Sequence, residues 1–361
     1  MGIKIILILS TIGLNYVGIT SVIKNYIAAM DTTGLEFCFV AFPEIPESLK
    51  KDFETYGSVC CITNRKKSFF SYLIDIIGLM RQGFHTVHIH GNSGTMLIEV
   101  LLARLCGIRN VIIHSHSTKT SFPLINRILK KPMMRLADLC IACSKASGDW
   151  LYGHYPHTIL NNAIDLPKFA FCDDLRKKYR DEFHVGDIFL VGHIGHFTEQ
   201  KNHFFLIDVF AAFHKLEPNS KLLLISDGPR FQQVQEKVAQ LGLQDAVIFA
   251  GRRSDVAGIY SAMDLFILPS CWEGLPLVMV EAQMNGLPLL VSDAVTSAAK
   301  CTDRVWYKSL NDGAQSWAES LQTLQKKTYD RKTDYRDIIA EKGFDIQMEA
   351  AKLRSLYLKD Y

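Results

Sequence analysis

A chain of 361 residues is too long for one ordinary hydrophobic core and suits two α/β domains. Hydrophobic residues make up 48% and charged residues 21%, which excludes a disordered chain, and a net charge of only +3 argues against a dedicated nucleic-acid binder. Nine cysteines, odd in number and irregularly spaced, argue against a secreted disulfide framework. The charge is uneven: residues 1–165 carry 16 Lys and Arg against 11 Asp and Glu, the remainder 24 against 26.

Lys4–Leu9 is a short apolar run after a single Lys. It lacks the length and the cleavage site of a signal peptide and reads as a first parallel strand. No stretch approaches the roughly 18 apolar residues of a transmembrane helix. Further strands are expected at Glu36–Ala41, Val87–His90, Val111–His114 and Leu139–Cys143, with helices at Thr20–Met30, Tyr72–Gln82 and Thr95–Cys106. The C-x-x-C pair Cys140 and Cys143 falls in the strand Leu139–Cys143 and reads as buried sheet. Lys119–Arg135 mixes Arg127, Lys130, Lys131 and Arg135 with six apolar residues, a basic amphipathic helix expected to break at Pro132.

Asn161–Phe171 is a polar, Pro-containing break and reads as a linker, giving domains at 1–165 and 166–345. A C-terminal helix at about 346–361 is expected to pack back on the first domain. In the second half, strands are expected at Phe189–Ile194, Lys221–Ile225, Ala246–Phe249, Leu265–Leu268 and Leu289–Val291. Helices are expected at His203–Lys215, Arg230–Leu241, Asp255–Met263, Leu277–Asn285 and Ala314–Lys326. This twice-repeated βαβ rhythm predicts two doubly wound parallel sheets, with a ligand cleft at the C-terminal ends of their strands.

The most informative segment is Pro269–Gly286, PSCWEGLPLVMVEAQMNG. A strand leads through Glu273, Gly274, Leu275 and Pro276 into a helix beginning at Leu277, with Gly286 as its cap. Free amides over Gly274–Leu277 suit a phosphate. Glu281 lies eight residues beyond Glu273, about two turns on, so one carboxylate can meet a sugar while the other reaches a ribose diol. His114 and His116 end a strand. With His88 and His90 they could hold zinc, but no carboxylate or Cys accompanies them at useful spacing, and no metal site is expected. The glycines of Ser10–Gly18 do not form G-x-G-x-x-G, which argues against a nicotinamide cofactor, and no Asp-x-Asp pair occurs.

Glu273-x7-Glu281, followed by Gly286-Leu287-Pro288, resembles glycosyltransferase family 4, retaining enzymes of the GT-B fold and closest to bacterial capsule and exopolysaccharide transferases. His193–His203 is similar to the family's G-R-F-x-x-Q-K-N-H loop, Asp227-Gly228-Pro229 to its G-D-G-P turn, and Phe249–Asp255 to the nucleotide-facing loop that carries Arg252. The first half matches more loosely, through Gly18, His114-Ser115-His116 and Asn161–Asp165. The resemblance implies that Lys201 contacts the donor diphosphate, that Glu273 and His116 position the sugar, and that Glu281 holds the ribose. Arg252, Gly18 and Gly274–Leu277 complete the donor set. Three positions depart from the pattern: His196 stands where the family has Arg, Ser226 where Gly is common, and Val17 where a second Gly often precedes Gly18.

The expectation is a metal-independent transferase that needs no cofactor. It moves a hexose or N-acetylhexosamine from a nucleotide sugar, a UDP-sugar by preference, to a glycan or lipid-linked acceptor in cell-surface polysaccharide synthesis. Two alternatives remain open at this point: an epimerase or hydrolase of the same fold, and a non-catalytic sugar-nucleotide-binding subunit. The expected location is cytoplasmic, peripheral on an anionic inner membrane face, with no nucleic-acid partner.

Overall fold

The computed structural model describes residues 2–10, 13–15, 18–120 and 122–359; Val17 lies outside them. Two compact units result, one of residues 1–163 with 346–361 and one of residues 164–345, so the division falls between Ala163 and Ile164.

The first unit is built on seven parallel strands: β1 (Ile3–Leu9), β2 (Leu35–Ala41), β3 (Gly57–Cys61), β4 (Thr86–Gly91), β5 (Asn110–Ser115), β6 (Leu139–Ala142) and β7 (Thr158–Ile159). Their order is β3-β2-β1-β4-β5-β6-β7. Central strands such as β1 and β5 are buried on both faces because helices cover both. One face packs the helices Phe69–Met80, Leu97–Leu105 and Pro123–Leu136. The other packs the helices Gly18–Ala29 and Glu47–Glu54 together with the C-terminal helix Ile346–Leu358, which buries Ala350, Leu353 and Tyr357 there.

The second unit repeats the plan with six parallel strands: β8 (Phe189–Ile194), β9 (Ser220–Ile225), β10 (Val247–Gly251), β11 (Leu265–Leu268), β12 (Leu289–Ser292) and β13 (Val305–Lys308). The order is β10-β9-β8-β11-β12-β13. The chain reverses its direction of winding between β8 and β11, so the loops leaving those two strands lie side by side at the C-terminal edge.

Three strands, β3, β7 and β13, were not expected from sequence; all lie at sheet edges, where short and mixed segments suffice. The expected break at Pro132 is corrected: one helix runs from Pro123 to Leu136 through it. Pro132 removes the bond to the Ile128 carbonyl, but both residues are exposed, where such a loss costs least.

Candidate functional site

The second unit collects its charged candidates at the C-terminal edge of four adjacent strands. The loop after β8 carries His196 and Lys201, that after β9 carries Asp227, that after β10 Arg252, and that after β11 Glu273. The β8 and β11 loops are tied to each other. The Cys271 amide donates to the Gln200 carbonyl at 2.8 Å, and Asn202 Nδ2 donates to the Pro269 carbonyl at 3.2 Å. Asn202 holds a left-handed φ of 56° just before the helix His203–Leu216. Gly195 keeps the space for the lysine stem: a Cβ there would stand 3.0 Å from Lys201 Cδ and 2.9 Å from His193 Nε2.

These ties bring Lys201 and Glu273 together. Lys201 Nζ donates to Glu273 Oε1 at 2.6 Å, and both side chains are largely buried. Ser270 Oγ donates to the same oxygen at 2.8 Å, and Gln200 Nε2 donates to Oε2 at 3.0 Å. Both carboxylate oxygens therefore have partners, and the carboxylate is fixed in one orientation.

Beyond Glu273 the chain turns through exposed Gly274 and partly buried Leu275 to Pro276, the N-cap of the helix Leu277–Met284. No side chain caps this helix. Pro276 has no N–H, so the donors of the turn are the Gly274, Leu275 and Leu277 amides, at the positive end of the helix dipole. Gly286 takes φ 70° past the helix end, the left-handed cap expected of it. Glu281 sits one turn before that end and accepts from Tyr260 Oη at 2.8 Å. Burial pushes the Glu281 carboxyl up to about 7, against the opposing pull of the Tyr260 hydrogen bond, Lys168 and Lys201.

His196 is exposed, with Nδ1 3.3 Å from Asp227 Oδ1. Arg252 NH2 donates to both oxygens of the same carboxylate, at 3.1 and 2.9 Å. The Arg252 hydrogen bond holds the Asp227 carboxyl below its ordinary value. Thus a permanent cation stands beside the position where the resemblance leads one to expect Arg. Ser226, before Asp227, takes φ 129°, a glycine-like conformation. Gly228 at φ 153° is needed outright, since a Cβ would stand 2.5 Å from the Phe197 amide nitrogen.

The first unit carries Gly18 and His116. Gly18 starts the helix Gly18–Ala29, and a Cβ there would meet nothing within 4 Å, so no protein group requires a glycine at that position. Gly13 is the constrained one in this loop, at φ 59° with a Cβ position 2.6 Å from the Phe42 ring. His116 follows β5 and belongs to a ladder of four imidazoles. The parallel register sets His90 beside His114, and rings stack at 4.1 Å between His88 and His90 and between His114 and His116. His90 Nδ1 meets His116 Nε2 at 2.9 Å, and His88 Nδ1 meets Tyr357 Oη at 2.7 Å. Burial lowers His88 and His116 to about 3 and puts His90 and His114 well below the usual histidine value, so all four are neutral.

Among the described residues, His88, His90 and His114 are the group that could offer three nitrogens to a metal, with ligand atoms within 4.8 Å of one another. Ligands on one tetrahedral zinc stand about 3.4 Å apart at the usual bond lengths.

Sequence reading missed Tyr260, Ser270, Gln200 and the bridging role of Asp227. Asp227 was visible in its turn, but its link to His196 and Arg252 depends on β9 lying between β8 and β10.

Residues 176–304 match the profile of the family described as glycosyl transferases group 1. EpsF of Bacillus subtilis (strain 168), provisionally described as a glycosyltransferase, is 27% identical over 364 residues, covering 96% of this chain and 94% of that protein. A UDP-Gal:alpha-D-GlcNAc-diphosphoundecaprenol alpha-1,3-galactosyltransferase of Escherichia coli is 27% identical over 232 residues, 60% of this chain and 59% of the enzyme. The crystal structure of HepE from Anabaena in complex with UDP-glucose superposes with a TM-score of 0.76 at 20% identity, covering 98% of this chain and 99% of HepE. Residues 176–304 are thus similar to the glycosyl transferases of group 1, in a chain whose two parallel-sheet units have the GT-B fold.

Proposed function

We propose that this protein is a retaining, metal-independent transferase of glycosyltransferase family 4. It takes a hexose or N-acetylhexosamine from a UDP-sugar and passes it to a glycan or lipid-linked saccharide in cell-surface polysaccharide synthesis, on the cytoplasmic side. The observation that carries the reading is the Lys201–Glu273 pair at the winding reversal of the second sheet, next to a helix start without a side-chain cap. The UDP-sugar and the lipid-linked acceptor named for the galactosyltransferase relative support the substrate classes.

The donor diphosphate takes the place of Glu273 at Lys201 and receives the Gly274, Leu275 and Leu277 amides. These fixed donors stabilise charge on the leaving phosphate, which is the work a divalent metal performs in other transferases. The bond from the anomeric carbon to the phosphate oxygen breaks. The acceptor oxygen bonds the same carbon from the same face, and its proton passes to the departing phosphate oxygen. Glu273 holds sugar hydroxyls, and Glu281 accepts from the ribose. Arg252 supplies, beside His196, the cation that the family places at residue 196.

The test is incubation of EDTA-dialysed protein with a panel of nucleotide sugars and membrane lipid extract, with mass spectrometry of the products and NMR of the new anomeric centre. A product of unchanged anomeric configuration, formed without metal, is expected. An inverted product, or activity that returns only with manganese, would refute the mechanism. Conversion of donor without acceptor would identify an epimerase or hydrolase, and binding without turnover a partner subunit.

A further inference from the structure

The helices Phe69–Met80, Leu97–Leu105 and Pro123–Leu136 pack side by side on one face of the first sheet, so their outer sides form one layer. Their inner sides are filled in the ordinary way, by Tyr72 and Ile76, Val100 and Ala103, and Met133. Their outer sides are not polar. Phe70, Ile74, Leu105, Leu124 and Ile128 are each 72–80% exposed, and Leu101 adds to them. Nine of the 15 large apolar side chains exposed among the described residues come from these three helices and the residue preceding the last. Scattered exposed leucines need no explanation, but a concentration on three adjacent helices does.

The third helix of this layer carries charge of one sign. The helix Pro123–Leu136 contains Arg127, Lys130, Lys131 and Arg135 and no acidic residue. Among the described residues, none of these four makes an ion pair. The nearby acids are engaged elsewhere: Glu99 is buried against Arg65, Asp138 pairs with Arg104, Glu44 pairs with Lys67, and Asp75 accepts the Thr63 amide. On the third helix the exposed apolar residues occupy the first half, and exposed Lys131 and Arg135 the second.

We propose that this three-helix layer docks on an anionic lipid bilayer. The apolar side chains enter the headgroup boundary while the basic residues meet lipid phosphates, and the two contributions add. No helix among the described residues is long and apolar enough to cross a membrane, so the contact is one of lying on the surface. A second copy of the chain is a poorer occupant. A two-fold contact through the same patch would bring the basic third helices of both copies to one interface, with no acidic residue on either helix to pair them. The surface deepens the proposed function, since it tells where a lipid-linked acceptor is met, and it rests on that reading only for this purpose.

The experiment is sedimentation with phosphatidylglycerol-containing vesicles and with pure phosphatidylcholine vesicles, at low and high salt, without donor or acceptor. Three proteins are compared: wild type, the charge variant Arg127→Glu/Lys131→Glu/Arg135→Glu, and the apolar variant Phe70→Ser/Ile74→Ser/Ile128→Ser. The wild type should bind the anionic vesicles at low salt. Loss of three cations weakens partition about a hundredfold or more, and the apolar variant should weaken it at least tenfold. Both variants should melt like wild type and act on detergent-solubilised lipid extract as it does. Equal vesicle binding by the three proteins, no binding by wild type at low salt, or a wild-type dimer that the variants dissociate would overturn the proposal. If vesicle binding follows expectation while no acceptor is ever glycosylated, the function falls and the docking surface stands.

Discussion

The two units share a fold and treat their polar groups in opposite ways. In the first, His88, His90, His114 and His116 are stacked in or beside the core and held neutral by burial. In the second, Lys201 with Glu273 and Arg252 with Asp227 are joined in ion pairs at the ends of adjacent strands. The difference follows from position along the strand. A side chain inside a covered strand, or buried just past its end as His116 is, is disfavoured as a charge, whereas one farther along the following loop can be charged and paired. Neutral imidazoles suit hydroxyl groups, and fixed cations suit a diphosphate.

The largest effects should come from the charged group. Lys201→Ala and Glu273→Gln should each lower the transfer rate by about 10²–10³-fold, as loss of one preorganised electrostatic contact does elsewhere. Steady-state kinetics with a saturating donor reads this directly. Near-normal rates in both would mean that the charged edge is not where transfer occurs.

Acid unfolding tests the contrast itself. A histidine whose folded pKa is lowered stabilises the fold above the unfolded value of about 6.5, and this contribution is lost as pH falls toward the folded value. Each can contribute a slope of up to about 1.4 kcal/mol per pH unit. The first unit has four such groups; the second has two, His193 at about 4 and His203 at about 2, both lowered chiefly by burial. Carboxyls raised by burial act in the opposite sense, Glu99 and Glu349 in the first unit and Glu281 in the second. The balance predicts that between pH 6.5 and about 5 the first unit loses stability more steeply. Hydrogen exchange resolved by peptide should show its strands opening first, and the ladder reading fails if the second unit opens first.

A smaller effect attaches to Glu281. Its folded pKa is raised to about 7, so the fold is most favoured with this group protonated, and stability declines as pH rises from about 4.5 through 7. Glu281→Gln should therefore raise the melting temperature more at pH 8 than at pH 5. It should also weaken donor binding about tenfold by calorimetry, with a lesser effect on the maximal rate. The smallest change is Ser226→Gly. Relief of φ 129° should raise stability by about 1 kcal/mol in denaturant titration, and a destabilised variant would mean that the Ser226 side chain contributes more than its backbone costs.

Much of the charged edge is legible in sequence, because each member sits in a loop with a local signature. Glu273 and Glu281 show a spacing, Lys201 precedes a helix start, and Asp227-Gly228 marks a turn. The joining of Lys201 to Glu273 is not legible, since 72 residues separate them and only the adjacency of β8 and β11 brings them within 2.6 Å. The ladder is half legible. The pairs at 88 and 90 and at 114 and 116 are visibly on one face of each strand, but the register that sets His90 beside His114 is a property of the sheet. The helix through Pro132 defeats local reasoning for a related reason. Packing of Met133 and Met134 against the core outweighs one missing hydrogen bond on an exposed side.

The Lys201–Glu273 contact has a consequence for selectivity among small anions. At rest the two charges cancel, so the edge of the sheet offers free phosphate or sulfate little net attraction. An anion that captures Lys201 leaves a largely buried carboxylate without its counterion, and a free sugar that hydrogen-bonds Glu273 leaves the lysine paired as before. Only a molecule carrying both a polyphosphate and sugar hydroxyls replaces both partners at once. On the proposed function, the two halves of a nucleotide sugar would thereby be coupled in binding, and the resting ion pair would disfavour each half presented alone.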